Sequence, residues 1–354
     1  NKNVALALKA RIGLYAGSYR VYHTELNLPD AAKFLTAGKE ASEQLLTGKY
    51  TLGNYKELYS SMDLAKNTEV ILYKRYISGV MTHSVIGYTN STTQMSGLTK
   101  SAVESYLTVD GLPISQSPLY KGDNTIKDVR ENRDRRLLAT IGNYLAYNGS
   151  TSVKSDTVSA GLNSTTGYMP TKFLQPASIQ LAPNNETDAP IFYLSEVLLN
   201  YAESAALLEK LGLYTVTQTD LDKSVNLLRK RAGVAPLTIA GSNVLASGII
   251  INDVKRPSAI SPLMWEIRRE RRTELMMDGF RYQDLMRWKE GEKLDKAKNP
   301  EAFLGAKVPD NKVVSRNADG YILPYSASST RTFVDPKNYL SPIPTGQFAL
   351  YPEN

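Results

Sequence analysis

The stretch WEIRRERRTEL at residues 265–275 decides the fold, because it sets four arginines among three glutamates on one predicted helix. Helical spacing puts Ile267, Glu270 and Glu274 on a common face, so two carboxylates lie beside a core position. Buried carboxylates need partners, and bidentate arginine pairing is the usual way to satisfy them. The pattern therefore predicts an Arg-rich helix over residues 262–290 that belongs to the interior of the protein.

Arginines of the same segment are the predicted donors for these carboxylates, namely Arg268, Arg271, Arg272 or Arg281. Both tryptophans of the chain also fall in this segment, and large aromatics at helical spacing are more typical of a core than of a sugar-stacking surface. We therefore predict structural roles for Trp265, Glu270, Arg271, Glu274, Arg281, Asp284 and Trp288.

The composition is that of an ordinary globular protein, with 354 residues of which 42% are hydrophobic and 22% charged. This excludes a collagen-like, low-complexity or wholly disordered chain, and no apolar run reaches the roughly 18 residues of a membrane-spanning helix. The net charge is +7, but the densest basic cluster is interleaved with glutamates, so we predict no nucleic-acid partner. Because there is no cysteine, disulfides, thiolate catalysis and Cys-based zinc sites are excluded.

Outward from the Arg-rich helix, the chain is predicted to form one mainly α domain over residues 1–354. Two antiparallel helix pairs, each of about 40 to 45 residues with alanines between the helices, indicate a tetratricopeptide-like scaffold. The stretch between them is rich in Gly, Ser, Thr, Asn and Tyr and sustains no helical period. The predicted order is a helix pair at 1–49, a loop-rich insert at 50–189, a helix pair at 190–234, the Arg-rich helix at 262–290 and an irregular tail at 291–354.

The helix pairs have predicted limits and faces. Leu8 and Ile12 belong to an apolar series that predicts a first helix ending near Gly17, and the alanines around them offer small surfaces to a close neighbour. The second pair is predicted to open with a helix whose buried stripe begins at Ile191 and which stops at Gly212.

The Arg-rich segment also carries a family resemblance. The family pattern ExRRERRxEL, followed by EGxRxxDLxRW, is similar to residues 266–275 and 278–288, with Asp278 in place of the usual Glu. On these motifs the chain resembles the C-terminal two-thirds of the SusD/RagB family of outer-membrane nutrient-binding lipoproteins. Further similar stretches are NRDRRL at 132–137, LSEVLLNYAE at 194–203, VNLLRKRAG at 225–233, YLSPIP at 339–344 and the segment 106–113.

The resemblance implies a SusD-like fold and a non-catalytic protein on the cell surface, held at the outer membrane by an N-terminal lipid anchor. We expect that anchor, a signal peptide and the first helical repeats of the family to lie outside this sequence. Proteins of this family capture oligosaccharides, or peptides in some members, and pass them to a SusC-like TonB-dependent transporter. The resemblance makes such a transporter the expected partner and places the ligand in the loop-rich part.

Tyrosine is the most informative residue type of the insert, since the chain has 22 Tyr against 7 Phe. A tyrosine side chain combines an apolar ring with a hydroxyl group that stays hydrated. This combination suits a polar ligand such as an oligosaccharide or polysaccharide. We predict that these tyrosines form a shallow platform on which a glycan stacks. The alternative is that they only anchor the loops to the helical scaffold. The predicted ligand-binding residues are Arg75, Tyr76, His83, Tyr88 and Tyr168, and the insert also contains Tyr106, Tyr120, Tyr144 and Tyr147.

No catalytic residue is predicted, because His23 and His83 are the only histidines and no GxSxG, HExxH or P-loop pattern occurs. No metal site or cofactor is expected either, since the acidic residues of the insert lack the order of a calcium loop. Two other functions stay open. One is a peptide- or protein-binding helical-repeat protein, acting in RagB-like peptide capture or as an adaptor, and the other is an all-α glycan hydrolase or lyase.

Overall fold

The computed structural model describes residues 1–90, 97–146, 164–174, 184–309, 314–325, 329–340 and 344–350. No helix among these residues is both long enough and apolar enough to cross a membrane. The helices are α1 Lys2–Tyr22, α2 Ala31–Glu43, α3 Glu57–Ser60, α4 Val85–Asn90, α5 Lys100–Glu104, α6 Ile126–Arg130, α7 Arg135–Thr140, α8 Leu194–Lys210, α9 Gln218–Asp222, α10 Val225–Ala232, α11 Pro262–Glu274, α12 Phe280–Arg287 and α13 Thr345–Leu350.

Short strands form small antiparallel sheets at the edges of the helical body. The strands are β1 Val70–Lys74, β2 Ile141–Ala146, β3 Gly167–Pro170, β4 Ala189–Tyr193, β5 Leu237–Ala240, β6 Asn243–Ala246 and β7 Ile249–Ile250. The pairings are β1 with β4, β2 with β3, and β5–β6–β7 in sequence order. The β1–β4 ladder, in register at Tyr73 and Pro190, joins the start of the loop-rich insert to its end.

Helices α1 and α2 approach each other at glycines. A Cβ atom on Gly13 would lie 2.7 Å from the Cα of Gly38, and one on Gly17 would lie 2.5 Å from the Cγ of Leu35. Both distances are well inside van der Waals contact, so a larger side chain at either position would push the helices apart.

Most of the buried face of α1 is made of small residues, with Leu14 as a large apolar residue among them. Ala10 is fully buried, whereas Leu8 is 45% and Ile12 is 53% exposed. The helix also continues to Tyr22, beyond the predicted end at Gly17, because that glycine serves the contact with α2 and does not terminate the helix.

Helix α8 is the centre of the fold. Residues 194–208 are all buried, which is typical of a helix that is enclosed on every side. It packs against α1, α2 and α11. The predicted start of this helix pair at residue 190, with Ile191 in the buried stripe, is wrong, because Ile191 lies in β4, where it is 38% exposed, and α8 begins only at Leu194.

The single helix predicted over 262–290 is in fact two helices. Between α11 and α12 the backbone turns through left-handed conformations at Met277, with φ 68°, and at Gly279, with φ 86°. A right-handed helix cannot continue through such residues. The turn brings the two helices side by side, so that the Nε of Arg271 lies 2.9 Å from the Oδ2 of Asp284.

Glu270 and Glu274 of α11 are paired with arginines from other segments, which corrects the predicted donors. The Nη1 of Arg136 lies 2.5 Å from Glu270 Oε1 and 2.9 Å from Glu274 Oε2. Arg231, which lies on α10, also binds Glu274. The Nη1 of Arg231 lies 2.7 Å from Oε2 of Glu69. We call these five residues the core ion network. Of the expected donors on the segment itself, Arg268 binds Glu290 and Arg271 binds Asp284 instead.

A second buried cluster surrounds Glu203 of α8. Arg287 donates to both of its carboxylate oxygens, at 2.5 and 2.7 Å, and the indole Nε1 of Trp288 donates to Oε1 at 2.6 Å. Burial alone would raise the pKa of Glu203, but the charge and hydrogen bonds of Arg287 lower it to about 2. The carboxylate is therefore ionised across the physiological range.

We expect Arg136→Met to lower the free energy of unfolding by about 3–5 kcal/mol, because three buried carboxylates, those of Asp134, Glu270 and Glu274, lose a shared cation. Urea denaturation measures the change. Lys298→Met is the matched control, since it breaks an exposed pair with Glu292 and should cost under about 1 kcal/mol. Equal losses in the two variants would contradict a structural role for the network.

The depressed pKa of Glu203 also predicts a pH dependence. Its contribution to stability is fully present above the unfolded-state pKa of about 4.5 and is lost as the pH falls toward 2. Between pH 6 and pH 3 we expect the wild type to lose about 2 kcal/mol more than Glu203→Gln. Urea denaturation at the two pH values tests this, and parallel losses in the two proteins would refute it.

Candidate functional site

A cavity of about 370 Å³ opens beside β4, between the β1–β4 ladder and the turn that joins α11 to α12. We call it the β4 cleft. Aromatic rings dominate its lining, which also includes Arg11, Asp188 and Asp278; the aromatic residues are Tyr59, Tyr76, His83, Phe173, Tyr193 and Phe280.

The floor of the β4 cleft is built on Asp278. The hydroxyl groups of Tyr59 and Tyr193 each donate to its Oδ2 at 2.8 Å, and the Nζ of Lys172 lies 2.5 Å from its Oδ1. Lys172 also donates to the carbonyl of Met276 at 2.6 Å. Burial lowers the pKa of Lys172 against the opposing pull of Asp278. Both oxygens of Asp278 are thus engaged within the protein.

His83 is fixed in one tautomer by the backbone around it. The N–H of Val85 donates to Nδ1 at 3.2 Å, so Nδ1 is an acceptor and the proton lies on Nε2. Nε2 then donates to the carbonyl of Thr187 at 2.9 Å. With both ring nitrogens occupied, His83 presents its ring to the cleft and holds no nitrogen free for a sugar hydroxyl.

Asp188 ties the two sides of the cleft together. Its Oδ1 accepts from the backbone N–H of Tyr76, and its Oδ2 from that of Leu64, both at 3.0 Å. The ring of Tyr76 meets that of His83 edge to face, with centroids 4.6 Å apart. The hydroxyl of Tyr76 makes no hydrogen bond with any described residue, so it is available to a ligand.

The walls are therefore apolar and aromatic, while the charges of the floor are satisfied internally. Phe173 and Tyr76 are half-buried, and the rim carries Val85 and Ile191, which are 37% and 38% exposed. Such a surface suits a ligand that has flat C–H faces edged by hydroxyl groups. Both oxygens of each lining carboxylate, Asp188 and Asp278, accept a hydrogen bond from within the protein.

A second, larger cavity of about 810 Å³ lies elsewhere, between β2 and the segments 307–309 and 316–320. Its lining includes Tyr144 with several polar side chains, among them Asn124, Asn143, Lys307 and Asp319. Lys307 donates to the side-chain oxygen of Asn124 at 2.9 Å. None of the five predicted ligand-binding residues lines this cavity.

The structure brings together only two of those five residues, Tyr76 and His83, in the β4 cleft. Arg75 and Tyr88 are exposed outside its lining, and Tyr88 is 63% exposed. Tyr168 cannot join them, because it is 2% exposed. It lies in β3, where it pairs with Leu145 and packs in a separate cluster with Leu98 and Tyr106. Tyr147 lies outside the described residues.

Sequence reasoning missed the residues that complete the cleft from distant parts of the chain. Phe173 and Lys172 lie in an irregular segment without any motif. Arg11 reaches the cleft from α1, where its guanidinium binds Glu196 at 2.6 Å and lies 4.1 Å from the ring centroid of Phe192. Of the residues named here, only Asp278 stood out in the sequence, because it replaces the Glu that is usual at this position of the motif.

Within the described part of the chain, no group of three or more His, Cys, Asp or Glu side chains is arranged to hold a metal ion.

A family model described as the SusD family matches residues 65–353. The chain is also similar to the crystal structure of a SusD-like carbohydrate binding protein from Bacteroides fragilis NCTC 9343, at 24% identity and a TM-score of 0.68, covering 99% of this chain and 64% of that one. A SusD-like protein from the same organism gives 21% identity and a TM-score of 0.62 over 99% and 63% of the two chains.

A third similar structure was solved with a xylogluco-oligosaccharide, and it shares 15% identity and a TM-score of 0.58 over 99% of this chain and 65% of that one. At these identities the likeness shows that the chain has the SusD-like fold. The chain spans about 64% of the length of the carbohydrate binding protein from B. fragilis. No curated protein matches it.

We expect Asp278→Asn to lower the free energy of unfolding by about 3 kcal/mol, because Lys172 would remain buried without its carboxylate. Urea denaturation measures this, with Asp319→Asn at an exposed position as the control. The double variant with Lys172→Met should lose less than the sum of the two single variants. Strict additivity would show that the two charges do not interact.

Proposed function

The chain belongs to the SusD family, and from that membership we propose that it is a cell-surface glycan-binding protein. Its cargo is an oligosaccharide, which it holds at the β4 cleft and passes to a SusC-like TonB-dependent transporter in the outer membrane. A lipid anchor would tether it there. The family match supports the class of protein, and one similar structure holds a xylogluco-oligosaccharide.

The observation that carries this proposal is the pairing of charge in the β4 cleft. Asp278 is ion-paired with Lys172 and accepts from two tyrosine hydroxyls, and Asp188 accepts two backbone N–H bonds, so the lining carboxylates are engaged within the protein and the cleft presents mainly aromatic rings. A pyranose ring has an apolar C–H face that packs on an aromatic side chain, while its hydroxyls stay hydrated at the edge. The hydroxyl of Tyr76 and the exposed guanidinium of Arg75 could then bond to the sugar from the rim.

The helical part would serve as a tetratricopeptide-like scaffold. In this interpretation α1 with α2 form one antiparallel pair, and α8 with α9 and α10 form a second. The close contact of α1 and α2 at Gly13 and Gly38 supports the first pair. The loop-rich insert between the pairs, residues 50–189, would supply most of the ligand surface.

We propose that binding occurs without catalysis. The carboxylates nearest the ligand are Asp278 and Asp188, and each has both oxygens occupied by hydrogen bonds or ion pairs from the protein. Neither is placed to exchange a proton with a glycosidic oxygen. Incubation of the protein with polysaccharide should therefore release no new reducing ends, whereas a hydrolase would release them.

We expect Tyr76→Ala to weaken binding of a neutral oligosaccharide by about tenfold, because a half-buried ring at the centre of the cleft loses its contact with the sugar. Adding Tyr88→Ala should weaken it further if this exposed ring extends the platform. Isothermal titration calorimetry with a panel that includes a xylogluco-oligosaccharide measures both effects.

Tyr282→Ala provides the control, since Tyr282 is 53% exposed on α12 and does not line the cleft. Its affinity should match that of the wild type. Unchanged affinity in the Tyr76→Ala and Tyr88→Ala double variant would exclude the β4 cleft as the glycan site.

A further inference from the structure

The cavity of about 810 Å³ beside β2 differs in chemistry from the β4 cleft. We call it the polar cavity. Tyr144 is the one aromatic residue of its described lining, and it is only 8% exposed. The described walls therefore offer hydrogen-bonding groups rather than an open aromatic face. The amide and charged side chains that line the cavity are Asn124, Asn143, Lys307, Arg316 and Asp319.

Two adjacent hydrogen bonds fix one side of the polar cavity. They join the segment that precedes α6 to the segments 307–309 and 316–321. The hydroxyl of Tyr321 donates to Oδ2 of Asp123 at 2.5 Å, and the Nζ of Lys307 donates to Oδ1 of Asn124 at 2.9 Å. The polar groups of this wall are thus positioned by the protein itself, which lowers the cost of ordering them around a ligand.

The same wall places two cations close together. A Cβ atom on Gly320 would lie 3.5 Å from Nη1 of Arg316 and 3.5 Å from Cγ of Lys307, so these two atoms lie within twice that distance of each other. Gly320 also lines the cavity, and it has no side chain that could separate them. An anion bound at Lys307 would therefore also feel the positive charge of Arg316.

Lys307 has donors left for a ligand. Its ammonium group carries three N–H donors, and Asn124 takes one of them. No carboxylate among the described residues pairs with Lys307. Asp319 is the only carboxylate in the described lining, and it is exposed. The described lining thus holds two positive charges against one negative charge.

Two amide groups complete the arrangement. The side chain of Asn143 is exposed on β2 and makes no hydrogen bond to a described residue. The Nδ2 of Asn124 likewise donates to none of the described residues, while its Oδ1 is occupied by Lys307. Amide groups donate to and accept from hydroxyl groups, whereas an ammonium group forms its strongest hydrogen bonds with a carboxylate. The polar cavity therefore suits a ligand that carries hydroxyl groups and a carboxylate.

We propose that the polar cavity is a second carbohydrate site and that it binds a uronic acid unit of a glycan. In this site the sugar carboxylate binds Lys307, and the ring hydroxyls bind the amides of Asn124 and Asn143. The inference rests on the proposed function, because it extends the cargo from neutral to acidic glycans. The site is separate from the β4 cleft, since no described residue lines both cavities.

Isothermal titration calorimetry of the whole chain with trigalacturonate, at constant ionic strength, tests the site. We expect Lys307→Gln to bind trigalacturonate at least about tenfold more weakly than the wild type, because the carboxylate loses a charge-assisted hydrogen bond. Lys127→Gln is the matched control, since Lys127 is an exposed lysine of α6 that does not line the cavity. It should bind trigalacturonate as the wild type does. The methyl ester of trigalacturonate, which has no charge, should bind equally to all three proteins.

Asn143→Ala provides a second test at an exposed position and serves alone if Lys307→Gln fails to fold. It should weaken the binding of trigalacturonate by about fivefold, because a sugar hydroxyl loses its amide partner. Unchanged affinity in this variant would then overturn the proposal.

Absence of trigalacturonate binding to the wild type, or equal affinity in Lys307→Gln and Lys127→Gln, would also overturn the proposal. So would a loss of trigalacturonate affinity in Tyr76→Ala without a loss in Lys307→Gln, since the acidic glycan would then lie in the β4 cleft. Binding of the neutral xylogluco-oligosaccharide to the wild type and to Tyr76→Ala is measured separately. A failure of the proposed function can thus be told apart from a failure of the second site.

Discussion

Buried pairing of guanidinium and carboxylate groups is the constraint on which the structure depends. Arg136 fixes the loop-rich insert to α11 through Glu270 and Glu274, and Arg231 brings α10 and Glu69 to the same glutamate. Once desolvation is counted, such pairs contribute little net stability, yet an arrangement that leaves one charge alone is strongly disfavoured. The network therefore acts chiefly by penalising every arrangement in which these distant segments do not meet.

The sequence predicted the family and the interior position of the Arg-rich segment, because both follow from residue types at fixed local spacing. It did not predict which arginines pair with Glu270 and Glu274, since Arg136 and Arg231 are remote in the chain. The break at Gly279 was also missed, because a glycine inside a helical pattern is ambiguous without knowledge of its φ angle. The exposed Leu8 and Ile12 show that apolar spacing marks a helix but does not say which face is covered.

The candidate site was predicted only where neighbours in sequence are neighbours in space. Tyr76 and His83 lie in one short segment and share the β4 cleft. Tyr168 lies apart from the cleft because its burial results from the pairing of β3 with β2, a contact between separate segments. Phe173 and Arg11 gave no local signal. They reach the cleft only because the β1–β4 ladder and α1 are held against the α11–α12 turn.

The internally neutralised floor at Asp278 has a consequence for the surroundings in which such a cleft can work. An uncharged ligand that enters the cleft displaces no counterion and desolvates no exposed ion. The salt concentration should therefore have little effect on its affinity. If the β4 cleft binds a neutral glycan, as proposed, the affinity should change little between dilute and concentrated salt solutions.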